Sequence, residues 1–142
     1  MSDHIATAEL DIAAPPERIW TLLTRRGPDP DVMFGSEVVS DWTVGSRISW
    51  RGEWEGEAFE DRGEVLELEP PHRMVVTHFS PLSGEEDVPE NHHRLEFRLE
   101  PLGADATHVV LSQGGNADAD AAEHSAANWL TMLEGLARAA TR

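Results

Sequence analysis

Residues 117–140 are the one long stretch of this chain whose apolar residues recur at three-to-four spacing. Ala122, Ala126, Trp129, Leu133, Leu136 and Ala140 form the stripe, widened by Leu130 and Met132. Asp118, Asp120 and Glu123 stand near the end where a helix leaves its N–H groups unpaired, and Arg138 and Arg142 near the end where it leaves carbonyls. The alanines favour the helix and let its backbone approach a neighbour closely. A lone amphipathic helix has one apolar face to bury and no second helix of its own length to bury it against. A sheet is the simplest partner.

The rest of the chain supplies one. Residues 4–13 alternate, apart from one slip around Thr7, as a first strand with Ile5, Ala8, Leu10 and Ile12 as its apolar set. Ala14–Glu17 breaks that strand, and a proline in the first turn starts a short helix through Thr24, with Ile19, Trp20, Leu22 and Leu23 for its buried face. Gly27–Asp31 is a turn cluster, and Val32–Phe34 a single apolar helical turn before Gly35. From residue 36 the period becomes two. Strands are predicted at 37–40, 47–54, 58–69, 73–79, 93–100 and 107–113, with a hairpin turn at 55–57, a polar loop at 80–91 and Gly114-Gly115 closing the last. Pro70-Pro71 ends the fourth strand, since proline has no N–H for a ladder. The expected architecture is α+β in the order β-α-α-β6-α. One curved antiparallel sheet of about seven strands wraps the C-terminal helix in a single domain spanning 1–142.

Charge narrows the partners. The chain carries 27 Asp and Glu against 11 arginines and no lysine, a net charge of −16, which disfavours nucleic acid and anionic membrane surfaces. No apolar run reaches the roughly 18 residues of a spanning helix, so no membrane insertion is expected. The absence of cysteine excludes disulfides, thiolate metal sites and a cysteine nucleophile. Met1–Ile5 has no basic region leading into an apolar core, and with the lack of cysteine this points to the cytoplasm. No serine-hydrolase elbow, glycine-rich phosphate loop or zinc-binding helix motif occurs. No two of the seven histidines share a helix face at i, i+4, so neither a metal site nor a cofactor is expected.

The inward face holds a few polar groups. If Leu95, Phe97 and Leu99 face the helix, period two places His93 with them. The same rule sets His78 beside Met74 and Val76, and Gln113 beside Val109 and Leu111. Phe34, Trp50, Trp54, Phe59 and Trp129 are the large aromatics expected to border that space. An apolar face with a few placed polar side chains has the composition of a ligand pocket. A buried His or Gln without a partner costs about 1–3 kcal/mol, so each should bond protein, water or ligand. These eight residues, Phe34, Trp50, Trp54, Phe59, His78, His93, Gln113 and Trp129, are the candidate ligand-binding set. No catalytic residue is assigned. An enzyme here would need His78 or His93 as a base, with Gln113 or Arg51 orienting an oxygen. Glu53, Glu55, Glu57, Glu64, Glu67 and Glu69 read as a solvated face.

Several strings in this order match a known family. They are Ala14-Pro15-Pro16-Glu17-Arg18-Ile19-Trp20, Val44-Gly45 with Ile48 and Trp50, and Gly63-Glu64-Val65-Leu66-Glu67-Leu68-Glu69-Pro70. Leu95-Glu96-Phe97-Arg98-Leu99-Glu100-Pro101 and Asn128-Trp129-Leu130 with Leu133 and Leu136 complete them. Together they span nearly the whole chain. The chain thereby resembles the START-like (SRPBCC, helix-grip) superfamily, in the branch related to activators of the ninety-kilodalton heat-shock chaperone's ATPase. It departs at Ser46 and Asn128, where the family often has glycine. The resemblance implies a small, largely apolar ligand held between sheet and helix. It also implies two alternatives: a cyclase or dehydratase acting on a polyketide-like substrate, or a module that binds a chaperone or regulatory protein. A homodimer formed through an edge strand is a further possible assembly.

Overall fold

Pro16 opens the first helix and Asp118 caps the second, and between them the alternating segments pair into a sheet. The computed structural model describes residues 4–25, 29–81 and 84–142, with every side chain in them except those of Phe34 and Trp54. The elements are β1 (His4–Ile12), α1 (Pro16–Thr24), a 3-10 turn at Met33–Gly35, β2 (Glu37–Ser40), β3 (Arg47–Trp54) and β4 (Glu57–Glu69). They continue with β5 (Arg73–His78), β6 (His93–Pro101), β7 (Thr107–Asn116) and α2 (Ala119–Ala140).

The seven strands form one antiparallel sheet in the order β1-β7-β6-β5-β4-β3-β2. The chain starts at one edge, crosses on α1 and the 3-10 turn to the other edge, and returns strand by strand until β7 lies beside β1. This is the α+β helix-grip arrangement expected from the sequence. Glu55 and Gly56, both at positive φ (50° and 82°), make the two-residue turn between β3 and β4, whose twist suits an antiparallel hairpin.

The core lies between the sheet and α2. Ile48, Trp50, Val65, Met74, Val76, Leu95, Phe97, Leu99, Val109 and Leu111 supply the sheet side. Met132, Leu133, Leu136 and Ala139 supply α2, and Ile19, Leu22 and Leu23 of α1 close one end. Each fully buried Leu, Ile or Met contributes roughly 1.5–3 kcal/mol relative to exposure. α2 rests chiefly on β1. At its C-terminus it is fastened sideways: Arg142 donates to Asp29 at 3.0 and 3.1 Å and also pairs with Asp31, and Arg138 pairs with Asp31 at 3.3 Å. The Arg142 hydrogen bond, with one from the Asp31 N–H, holds the Asp29 carboxyl below its ordinary range despite burial. On the opposite face of the sheet Arg73 bridges Glu96 and Glu67, each at 2.6 Å. Val75 is buried between those two residues, its partners in register on β6 and β4.

Three local expectations are corrected. Ile5 is 59% exposed and Ala6 takes the inward place, because β1 alternates without a slip through the buried Ala6, Ala8 and Ile12, which leaves the odd-numbered Ile5 on the outer face. β7 does not stop at Gly114-Gly115 but runs to Asn116; Gly115, at φ 80°, absorbs the extra residue as a bulge. On α2, Leu130 is 39% exposed while Gly135 and Ala139 are buried. Gly135 lies so close to the chain at Asp31 that an added Cβ would stand 2.2 Å from the Asp31 carbonyl oxygen.

Candidate functional site

Where the N-terminal half of α2 lifts from the sheet, a cleft of about 460 Å³ opens to solvent. That volume suits a small organic ligand. Trp50 of β3, Phe59 and Asp61 of β4, His78 of β5 and Gln113 of β7 line its sheet side. Ser125, Asn128 and Trp129 of α2 line the other, with Met33, Ser36 and Ser80 from the connecting segments.

Each wall has a local cause. Gly52 is the register partner of Phe59, and a Cβ there would meet the Phe59 ring at 2.9 Å. The glycine therefore leaves room for the ring to lie across its strand. Asp61 is the register partner of Trp50, so period two along β4 points both Phe59 and Asp61 the way of the buried Val65. Ser36 donates from Oγ to the Met33 carbonyl at 2.7 Å, closing the 3-10 turn, and Met33 itself holds a positive φ of 48°.

Two polar pairs cross the cleft wall. His78 Nε2–H donates to Asp61 Oδ2 at 2.9 Å, with side chains only 18% and 17% exposed. The His78 ring sits 5.1 Å from the Trp50 ring, tilted by 58°. Asp61 Oδ1 is buried with no hydrogen-bond partner among the described residues. Beside this pair, Trp129 Nε1–H donates to Gln113 Oε1, joining helix to sheet. Ser125 Oγ donates to Asn116 Oδ1 at 2.9 Å, and Asn116 Nδ2 donates to the Gln113 carbonyl at 3.0 Å, so the polar contacts between α2 and β7 form a chain.

Of the eight residues expected from the sequence, Trp50, Phe59, His78, Gln113 and Trp129 meet at this cleft. The side chains of Phe34 and Trp54 lie outside the described residues. His93 is placed elsewhere: its Nδ1–H donates to the Gly114 carbonyl at 3.0 Å, against the β7 bulge. It remains the register partner of His78, but each histidine has its own acceptor, and no cluster of metal-binding side chains occurs among the described residues. Arg51 is exposed and paired with Glu60 at 2.5 Å rather than with the cleft. Asp61, Ser125 and Asn128 were not anticipated. Counting by twos back from Val65 finds Asp61, and the helical neighbours of Trp129 find the other two. Met33, Ser36 and Ser80 lie outside the long strands and helices, where periodicity carries no signal.

Comparisons with known proteins bear on this arrangement. The family model described as activator of Hsp90 ATPase homolog 1-like protein matches residues 13–141. The solution structure of protein ChR145 from Cytophaga hutchinsonii is 42% identical, with a TM-score of 0.76 over 94% of this chain and 91% of that one. The Aha1 dimer from Colwellia psychrerythraea is similar in fold at 21% identity and a TM-score of 0.69, covering 99% of this chain and 96% of that one. The Zhui aromatase/cyclase from Streptomyces sp. R1128 is similar at 17% identity and a TM-score of 0.69, covering 99% and 95%. No match was found among curated proteins. With its helix-grip architecture and a model match over nearly its whole length, the chain belongs to the family of activator of Hsp90 ATPase homolog 1-like proteins.

Proposed function

We propose that this protein binds a small, largely apolar molecule in the cleft between the sheet and the N-terminal half of α2. The observation that carries the reading is the cleft itself: about 460 Å³ bounded by Trp50, Phe59, Trp129 and Met33, with polar side chains set among them on both the sheet and the helix side. Trp50, at 4% exposed, presents a rigid aromatic surface already ordered by the core. Binding there forfeits little side-chain entropy. The test is thermal unfolding against a panel of lipids, steroids, flavonoids and polyketide intermediates. A ligand at 100 times its dissociation constant adds about 2.7 kcal/mol, a rise of several degrees for a domain of this size. The rise should disappear in Trp50→Ala. A panel without any shift would leave the cleft without a ligand and overturn the proposal.

The second reading is an enzyme of the cyclase or dehydratase type, and the His78–Asp61 pair favours it. A carboxylate that accepts from Nε2–H fixes the imidazole's orientation and makes Nδ1 the basic nitrogen of the neutral ring. Such a base acts on an enolisable carbonyl compound lying against Trp50. The fold likeness to an aromatase/cyclase is compatible with this chemistry without assigning it. Turnover of a polyketide-like substrate, abolished in His78→Gln while ligand binding persists, separates the enzyme from the carrier.

A further inference from the structure

We infer that the cleft selects ligands whose apolar body carries a hydrogen-bond donor, a hydroxyl or an ammonium, and discriminates against carboxylates and other anions; this rests on the cleft reading above and names its ligand class. Among the described residues lining the cleft, Asp61 and His78 are the only ionisable ones. Joined by their hydrogen bond, they carry a net charge of −1 when the imidazole is neutral and zero when it is protonated. With Asp61 ionised, neither form of the imidazole leaves the pair a net positive charge for an anion to meet. No arginine lines the cleft among the described residues. Arg51, Arg73, Arg94 and Arg98 pair with carboxylates of the strands, and Arg138 and Arg142 with Asp31 and Asp29. An anion entering the cleft exchanges water for aromatic rings, neutral serine and amide side chains and a carboxylate, with no arginine among the described lining residues to balance its charge.

The same carboxylate offers a place for a donor. Asp61 Oδ2 accepts from His78, whereas Oδ1 is buried and accepts nothing among the described residues. A covered, unpaired carboxylate oxygen is an unfavourable state, relieved when a donor comes within reach. Asp61 and Trp50, its register partner on β3, both line the cleft, so a ligand lying on Trp50 has the carboxylate beside it. Ser36 is already engaged with Met33, and Ser125 with Asn116, so these hydroxyl protons are committed within the protein rather than aimed at an incoming anion.

The experiment uses three probes that share one bicyclic aromatic body, 2-naphthylmethanol, 2-naphthylmethylamine and 2-naphthoate, with naphthalene as the parent. Dissociation constants are read from the indole N–H shifts of Trp50 and Trp129 in about 0.5 M salt, where the Debye length of about 4 Å screens the general repulsion of an acidic protein. The expected result is that the alcohol and the amine each bind about 10- to 100-fold more tightly than the carboxylate, the range of a hydrogen bond to a charged acceptor. The gap should narrow in Asp61→Asn. Equal or tighter binding of the carboxylate, or a gap unchanged in a folded Asp61→Asn protein, overturns the selection while leaving the cleft as a binding site. Failure of all four probes to move either indole overturns the cleft reading together with this one. The ranking on the wild-type protein decides the matter even where Asp61→Asn does not fold.

Discussion

The two halves of α2 rest on the same sheet but do different work. The C-terminal half buries Met132, Leu133, Gly135, Leu136, Ala139 and Ala140, and is fastened by Arg142 to Asp29 and by Arg18, which donates to the Ala139 carbonyl at 3.2 Å. In the N-terminal half Ala122, Ser125 and Ala126 are only half-buried, and polar bonds to β7 stand where apolar packing stands at the other end. The difference shows how one helix both stabilises a fold and leaves space beneath itself. Close packing at one end supplies the anchoring, and the sheet's curvature lets the other end stand away. Trp129 marks the boundary, buried like the first group yet hydrogen-bonded to Gln113 like the second.

Substitutions along the helix test this division. The largest effect is expected for Leu133→Ala, which removes a fully buried side chain at the closed end and should cost about 2–5 kcal/mol by urea unfolding. Next is Gly135→Ala. Its Cβ would press on the Asp31 carbonyl, and because the obstacle is backbone the helix must shift, at about 1–3 kcal/mol. A neutral Gly135→Ala would show that the closed end is not tightly packed, and the comparison would lose its basis.

Asp29→Asn should destabilise less, since Arg142 keeps access to water and to Asp31. Its signature is pH dependence. The Asp29 carboxyl is held below its ordinary value of 3.8 by the Arg142 hydrogen bond, so its contribution is present in full above that value and lost as pH falls through the lowered one. Unfolding midpoints of wild type and Asp29→Asn should therefore differ at neutral pH and converge in acid. A difference that persists unchanged into acid would assign the effect to packing instead of the ion pair. The smallest effect on stability is expected for Ser125→Ala at the open end, below about 1 kcal/mol, with the consequence appearing in ligand affinity. If Ser125→Ala costs as much as Leu133→Ala, the two halves are not distinct.

Much of this was legible from residue order. The long helix, the six alternating segments and the proline-led short helix are local patterns, and each appears within a few residues of its expected bounds. The misreadings cluster where two strands had to agree. The bulge at Gly115, opposite the start of β1, carries β7 past its glycines, and Ile5 beside it points outward because β1 keeps a strict alternation through Ala6, Ala8 and Ile12. His93 obeyed the alternation of β6 yet found the Gly114 carbonyl that the bulge brings within reach. Asp61 lay in a strand whose many carboxylates looked uniformly solvated, and its partner His78 is seventeen residues away in sequence.

What the sequence determined by itself is the set of elements and the need to cover one apolar helical face. Periodicity and turn chemistry act over a few residues, and a lone amphipathic helix of this length is best buried on a sheet. Tertiary structure alone decided which polar groups converge. The pairing of Asp61 with His78 and of Trp129 with Gln113, and the space between those pairs, depend on strand register, on the β7 bulge and on where α2 is fastened. Those are relations between distant segments, set by packing and closure of the whole sheet, and no local pattern of side chains encodes them.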